Sequence, residues 1–171
     1  MKPAVSNATP LIYLAGIGRL DLLRVIFGKV LIPEEVKREV VDEGKRLGRP
    51  DAWVIEKALE DGWIEVHAAK AIHLPVALHP GEQAAVSLAK QKGVKVVLMD
   101  EPSARLAASL SGLEPRGTLY VLLQSLRQNE LDLDGFLEVL CRLIEKGYRL
   151  REEVYLEVVR RARGIAERKG P

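Results

Sequence analysis

Asn7, Glu39, Glu82 and Asp100 carry oxygen and lie far apart in the chain, yet they are the residues best placed to do chemistry together. Asp100 ends the apolar run Val96-Val97-Leu98-Met99, which reads as a buried strand, and a helix starts just after it at Pro102. Asn7 stands at the matching position after Ala4-Val5-Ser6. In a parallel α/β sheet the carboxyl ends of the strands open onto the crevice where ligands bind, so Asn7 and Asp100 would face one mouth. Glu39 and Glu82 fall on helices that could reach it. Mg²⁺ and Mn²⁺ prefer oxygen ligands, and converging carboxylates repel one another unless a cation neutralises them. The set points to a site for Mg²⁺ or Mn²⁺.

Each of the four also has a purely structural reading. Asp100 could cap the helix that follows it, since Asp is a favoured capping residue, and a capping carboxylate can still offer an oxygen to a cation. Asn7 could hold a turn or cap. Glu82, near the third helical position after Pro80, could bond back to the helix start and complement its dipole. Glu39 stands among Glu34, Glu35, Lys37 and Arg38, the composition of a solvated face. It also borders the stripe of Val36 and Val40, from which it could turn inward.

Other chemistries lack their patterns. His67, His73 and His79 do not have zinc-ligand spacing. Ser6, Ser103 and Thr118 lie in no nucleophile elbow, and no Gly-rich loop is present to cradle a nucleotide phosphate. Lys90, Lys92 and Lys95 are candidates for gripping a nucleic-acid backbone near the mouth, or plain solubilising charges.

Strand and helix signals alternate through the first two-thirds of the chain. The pattern predicts strands at Ala4–Ser6, Val30–Ile32, Trp63–Val66 and Val96–Met99, with an extended piece near Leu113–Pro115. Thr9 suits an N-cap and Pro10 a first helical turn. That helix runs to Ile26, weakened or divided at Gly16 and Gly18 and closed by Gly28. A helix from Pro33 carries Val36, Val40 and Val41. Glu43 to Pro50 reads as a polar loop, and Asp51 as the cap of the next helix. The stretch from His67 to His79 is a long loop. Helices follow from Pro80, at Pro102–Leu110, from Gly117-Thr118 to Leu126, near Leu133–Glu145 and at Glu152–Arg168. This alternation calls for an α/β fold with a parallel sheet, right-handed crossovers and helices on both faces. The helical tail is a cover for one face or an association element.

With 171 residues, 47% hydrophobic and 29% charged, the expectation is one domain with a substantial core, 1–128 forming the α/β part and 129–171 the helical extension. A formal net charge of +2, from 26 basic and 24 acidic residues, neither advertises nor excludes nucleic acid. The lone Cys141 is expected to be buried and reduced. Lys2 is followed almost at once by polar Ser6-Asn7, which is no signal-peptide pattern, and no run is long enough to span a membrane. The cytoplasm is the expected location.

The segments V-S-N-A-T-P-L-I-Y-L-A, I-P-E-E-V-K-R-E-V, P-G-E-Q-A-A-V-S-L-A and V-V-L-M-D-E-P-S-A-R, with Gly18-Arg19-Leu20-Asp21-Leu22-Leu23 and Gly117-Thr118, resemble the PIN-domain family in order over roughly residues 4 to 128. The similarity is greatest to its prokaryotic branch related to VapC-type toxins. The resemblance implies a three-layer α/β/α sandwich around a roughly five-stranded sheet, and a Mg²⁺- or Mn²⁺-dependent ribonuclease. Its acidic quartet maps onto Asn7, Glu39, Glu82 and Asp100, with Thr9 and Arg105 as substrate-side residues; Arg105 could equally be a surface ion pair. Family members commonly carry Asp where this chain has Asn7, which leaves three formal negative charges. Two further readings follow: a silent module that binds RNA or protein, and a toxin held by a small antitoxin. Leu and Val stripes beyond Leu131 could build a homodimer face or cover the core.

Overall fold

The computed structural model describes residues 1–170. Five strands, β1 (Ala4–Ser6), β2 (Val30–Pro33), β3 (Ile64–His67), β4 (Val96–Leu98) and β5 (Glu114–Arg116), form one all-parallel sheet in the order β3-β2-β1-β4-β5. Alternate strand residues face opposite layers. Ala4, Val30, Ile32 and Leu98 point into one core; Val5, Leu31, Val97 and Met99 point into the other. Both faces are therefore covered, and the central strands β1, β2 and β4 read as continuous apolar runs, while β3 alternates as Ile64-Glu65-Val66-His67. Pro115, which cannot donate to a ladder, is tolerated because β5 is an edge strand.

Helices α1 (Ala8–Gly16) and α2 (Asp21–Phe27) follow β1, divided near Gly16 and Gly18 as expected. Gly28 closes α2 with φ 70°, a conformation that favours glycine. After β2 the chain enters α3 (Glu34–Lys37), passes through a π-helical segment (Arg38–Glu43) and continues as α4 (Gly44–Arg46). The predicted loop from Glu43 is therefore helical as far as Arg46: Gly44 is buried against Ala52, a packing role that the polar composition did not reveal. Helix α5 (Pro50–Glu60) starts one residue before Asp51, so Arg49 occupies the N-cap position instead.

Residues 68–79 form no helix or strand. Helix α6 (Pro80–Lys92) packs with α7 (Pro102–Leu110) on one face of the sheet through Ala85, Leu88, Ala89, Ala104 and Ala108. The opposite face takes α1, α2, α5 and α8 (Thr118–Arg127), together with α9 (Leu133–Glu145) and α10 (Glu152–Lys169). Phe136, Val139, Leu140 and Leu143 of α9 and Val158, Ala162 and Ile165 of α10 join that core, so these apolar stripes cover the sheet's helical layer. Cys141 is exposed rather than buried. It follows the stripe residue Leu140 by one position, about 100° round the helix, and its thiol contacts Glu145. The Glu145 charge raises the thiol above its ordinary pKa. No helix among the described residues is long and apolar enough to cross a membrane.

Candidate active site

The strand order reverses direction between β1 and β4, and the crevice beyond their carboxyl ends is the expected ligand position. Asn7 and Asp100 both lie there. The Asn7 backbone N–H donates to Leu98 O at 2.9 Å, which ties the end of β1 to the end of β4. Asn7, rather than Thr9, caps α1: its Oδ1 accepts from Ala8 N at 2.7 Å. Thr9 is half-buried inside the first helical turn. The sequence signal favoured Thr9 because Pro10 follows it, but Pro is also accommodated elsewhere in the first turn, where no intrahelical donor is needed.

Glu39 lies in the first turn of the π-helical segment, a distortion frequent at functional sites. The residue is exposed, yet its carboxylate turns toward the start of α6. A Cβ at Gly81 would sit 3.4 Å from Glu39 Oε2 and 3.8 Å from Asn7 Oδ1. Gly81 thus leaves room between a carboxylate and an amide carbonyl. The next residue, Glu82, is buried, and its Oε2 accepts from His79 N at 3.2 Å. The helix-start role read for Glu82 is therefore present, and it occupies one oxygen. Glu82 also lines a cavity of about 450 Å³ with His79, Glu101 and Ser103.

Asp100 is held differently. It does not cap α7, whose N-cap position is Glu101. It caps α8 instead, with Oδ1 accepting from Thr118 N at 2.8 Å and Oδ2 from Thr118 Oγ1 at 2.7 Å. The Tyr148 hydroxyl, from the connection between α9 and α10, donates to Oδ1 at 2.6 Å. Burial foremost, then the Asp100 charge, push the Tyr148 phenol well above its ordinary pKa. The Tyr148 ring packs edge-on against Tyr13 at 5.2 Å. Gly117 makes this node possible: a Cβ there would fall 2.7 Å from Arg105 Nη1 and 2.9 Å from Asp100 Oδ1. The Gly117-Thr118 pair therefore has a concrete geometric role, a glycine beside two charged groups followed by the hydroxyl that one of them holds.

The strand-end acids separate into two flanks. Asn7, Glu39 and Gly81-Glu82 gather on one, and Glu101 lines the same cavity as Glu82. Asp100 lines a second cavity, of about 1080 Å³, with Arg105, Tyr148 and further arginines. Among the described residues no three His, Cys, Asp or Glu side chains form a group that could hold a metal ion. The donors on the first flank are nonetheless all oxygens. Such a set suits Mg²⁺, which commonly keeps several waters and takes only one or two carboxylates from a protein.

Two groups of basic residues lie in different parts of the fold. Lys90, Lys92 and Lys95 were candidates for the mouth, but they stand at the end of α6 and just before β4, at the amino edge of the sheet opposite the strand ends. Lys90 Nζ donates there to Ser111 O at 2.9 Å. The arginines Arg116, Arg127, Arg149, Arg151 and Arg161 line the Asp100 cavity, a placement that no local sequence pattern signals. The run Tyr148-Arg149-Leu150-Arg151 is basic, but nothing local says that the link between the last two helices folds back onto β4.

A family model described as a PIN domain matches residues 3–164. No curated protein matches the chain. A solved domain of a functionally unknown protein from Methanocaldococcus jannaschii is similar over 68% of this chain and 91% of its own, at 18% identity and a TM-score of 0.46.

Proposed function

Because the chain belongs to the PIN-domain family, a nuclease-like fold, we propose that it is a metal-dependent ribonuclease that hydrolyses RNA phosphodiester bonds within a single domain. The observation that carries this reading is the approach of Glu39 Oε2 and Asn7 Oδ1 to either side of Gly81, next to buried Glu82, at the sheet's switch point. Glu39, Glu82 and the Asn7 carbonyl would hold Mg²⁺ or Mn²⁺. Such a cation, when bound, makes water a stronger nucleophile and offsets charge on the phosphate and the leaving oxygen. Asp100, held by Thr118 and Tyr148, lies with Arg105 close to Gly117. Arg105 presents its guanidinium beside that node, where it can stabilise negative charge that develops on the phosphate. Thr9, in the first turn of α1, is the candidate for orienting substrate.

The test is cleavage of end-labelled single-stranded RNA with Mn²⁺ and with chelator. Cleavage is expected with Mn²⁺, absent with chelator, and reduced by about a hundredfold or more in Glu82→Gln, which keeps an oxygen for His79 N. Cleavage indifferent to both chelator and substitution would overturn the reading.

A second reading, a silent RNA- or protein-binding module, is favoured by two observations. Asn7 brings no charge to the cation flank, and Asp100 already accepts three hydrogen bonds. As a ribonuclease the protein would suit the role of a toxin held by a small antitoxin, and a co-purifying peptide is the observation that would favour that role.

A further inference from the structure

The Asp100 cavity is lined by six arginines: Arg105 on α7, Arg116 at the end of β5, Arg127 on α8, Arg149 and Arg151 in the α9–α10 connection, and Arg161 on α10. Three carboxylates line it as well, Asp100, Glu153 and Glu157. Asp100 is occupied by Thr118 and Tyr148, and Glu157 is paired with Arg161 at 2.8 Å and Arg160 at 3.0 Å. Arg116 pairs with Glu114 at 3.6 Å and lies over the Tyr120 ring at 5.1 Å, which holds its planar fork in place. Among the described residues Arg105, Arg127, Arg149 and Arg151 form no ion pair. Like charges gathered round one concave surface repel each other and favour an anionic occupant.

We propose that this cavity binds the phosphodiester backbone of single-stranded RNA and leads it past Asp100 to the strand-end mouth. Guanidinium forks match phosphate geometry, and partly exposed Arg116 over the Tyr120 ring, with exposed Arg149 and Arg151 on the same cavity, combines charge with an aromatic face as single-strand binding grooves do. The cavity meets the mouth at Asp100 and Arg105, so a strand seated in it would run toward the Glu39–Glu82 flank. Three of the six arginines belong to the helical extension, which thereby acquires a substrate-binding role besides covering the core. The inference rests on the ribonuclease reading for what happens to the strand, but binding itself needs no cation.

The experiment is fluorescence anisotropy of the full chain with a labelled single-stranded RNA dodecamer in chelator, over a salt series. Arg149→Ala/Arg151→Ala changes two exposed residues, and circular dichroism checks its fold. The double variant is expected to bind about tenfold or more weakly, with its log–log salt slope reduced by about 1.4, the value for two lost phosphate contacts on a single strand. Lys90→Ala/Lys92→Ala, at the opposite edge of the sheet, is expected to bind like the parent chain. Equal weakening by the two double variants, or none by the arginine pair, would overturn the proposal. So would tighter binding of a Glu-rich peptide of equal charge, which would make the cavity a protein-docking site. Arginine-dependent binding without any cleavage in Mn²⁺ would uphold the cavity while removing the ribonuclease reading.

Discussion

Asp100 and Glu39 approach the same mouth as carboxylates, and their surroundings differ. Asp100 accepts from Thr118 N, Thr118 Oγ1 and Tyr148 Oη, which fills most of the roughly four lone-pair directions that a carboxylate offers. Glu39 sits on an exposed π-helical turn, with its oxygen open toward Gly81 and Asn7. A carboxylate whose acceptor positions are filled fixes structure, joining β4 to α8 and to the α9–α10 connection. A carboxylate with positions to spare can take a cation. Residue type alone does not distinguish the two; what differs is which donors each acid meets.

The comparison is broken most directly by truncating both acids. In Asp100→Ala the buried Thr118 loses the acceptor of its N–H and of its hydroxyl, and Tyr148 loses its acceptor. Buried donors left without partners carry the full desolvation penalty, so a loss of about 2–4 kcal/mol is expected. Glu39→Ala removes an exposed side chain and should cost no more than about 0.5 kcal/mol. Urea denaturation of the two variants measures both, and equal losses would refute this difference.

How legible each flank was in the sequence follows from how local its signals are. The strand runs, the alternation with helices and the paired strand-end positions of Asn7 and Asp100 are encoded within a few residues each, and a parallel sheet with four of its five strands was readable from them, β5 showing only as a short extended piece. Glu82 could be placed because Pro80-Gly81 marks a helix start, which makes Glu82 the third helical residue. The π-helical segment around Glu39 was not readable, since Arg38-Glu39-Val40-Val41 suits an ordinary helix equally well. Cys141 was misjudged because one helical position separates the buried stripe from solvent. The arginine flank depends on contacts across the chain: Tyr148 meets Asp100 at a separation of 48 residues, and Thr118 at 18. No periodicity or motif reports such pairings.

Tyr148→Phe sharpens the comparison with a smaller change. It deletes one charge-assisted hydrogen bond on Asp100 and keeps the ring against Tyr13, so a loss of about 1–2 kcal/mol is expected near neutral pH. The phenol's raised pKa gives this contribution a direction in pH. Above the ordinary value of about 10 the unfolded chain releases the phenol proton while the folded chain retains it, so the parent protein loses stability as pH rises through that range. The phenylalanine variant lacks this titration. Its deficit should therefore narrow between pH 9 and 11 in thermal unfolding, and a constant gap would show that Tyr148 does not hold its proton more tightly in the fold.

The subtlest test concerns the cation flank and Asn7→Asp. Asn and Asp cap helices about equally well, so an aspartate oxygen can still accept from Ala8 N and α1 should be unaffected. What changes is a negative charge at a position only 5% exposed and facing Glu39 across Gly81. Burial and like charge both oppose it, and in chelator the variant should be about 1 kcal/mol less stable. A bound divalent cation reverses the sign of that term, because it now has an additional anionic ligand. Mn²⁺ should therefore raise the melting temperature of Asn7→Asp more than that of the parent chain, by an amount that grows with the logarithm of Mn²⁺ concentration. Cleavage that starts only with this substitution would favour the silent-module reading for the natural sequence. An identical Mn²⁺ response in both proteins would place the cation away from Asn7, and with it the open flank of the mouth would lose its assigned role.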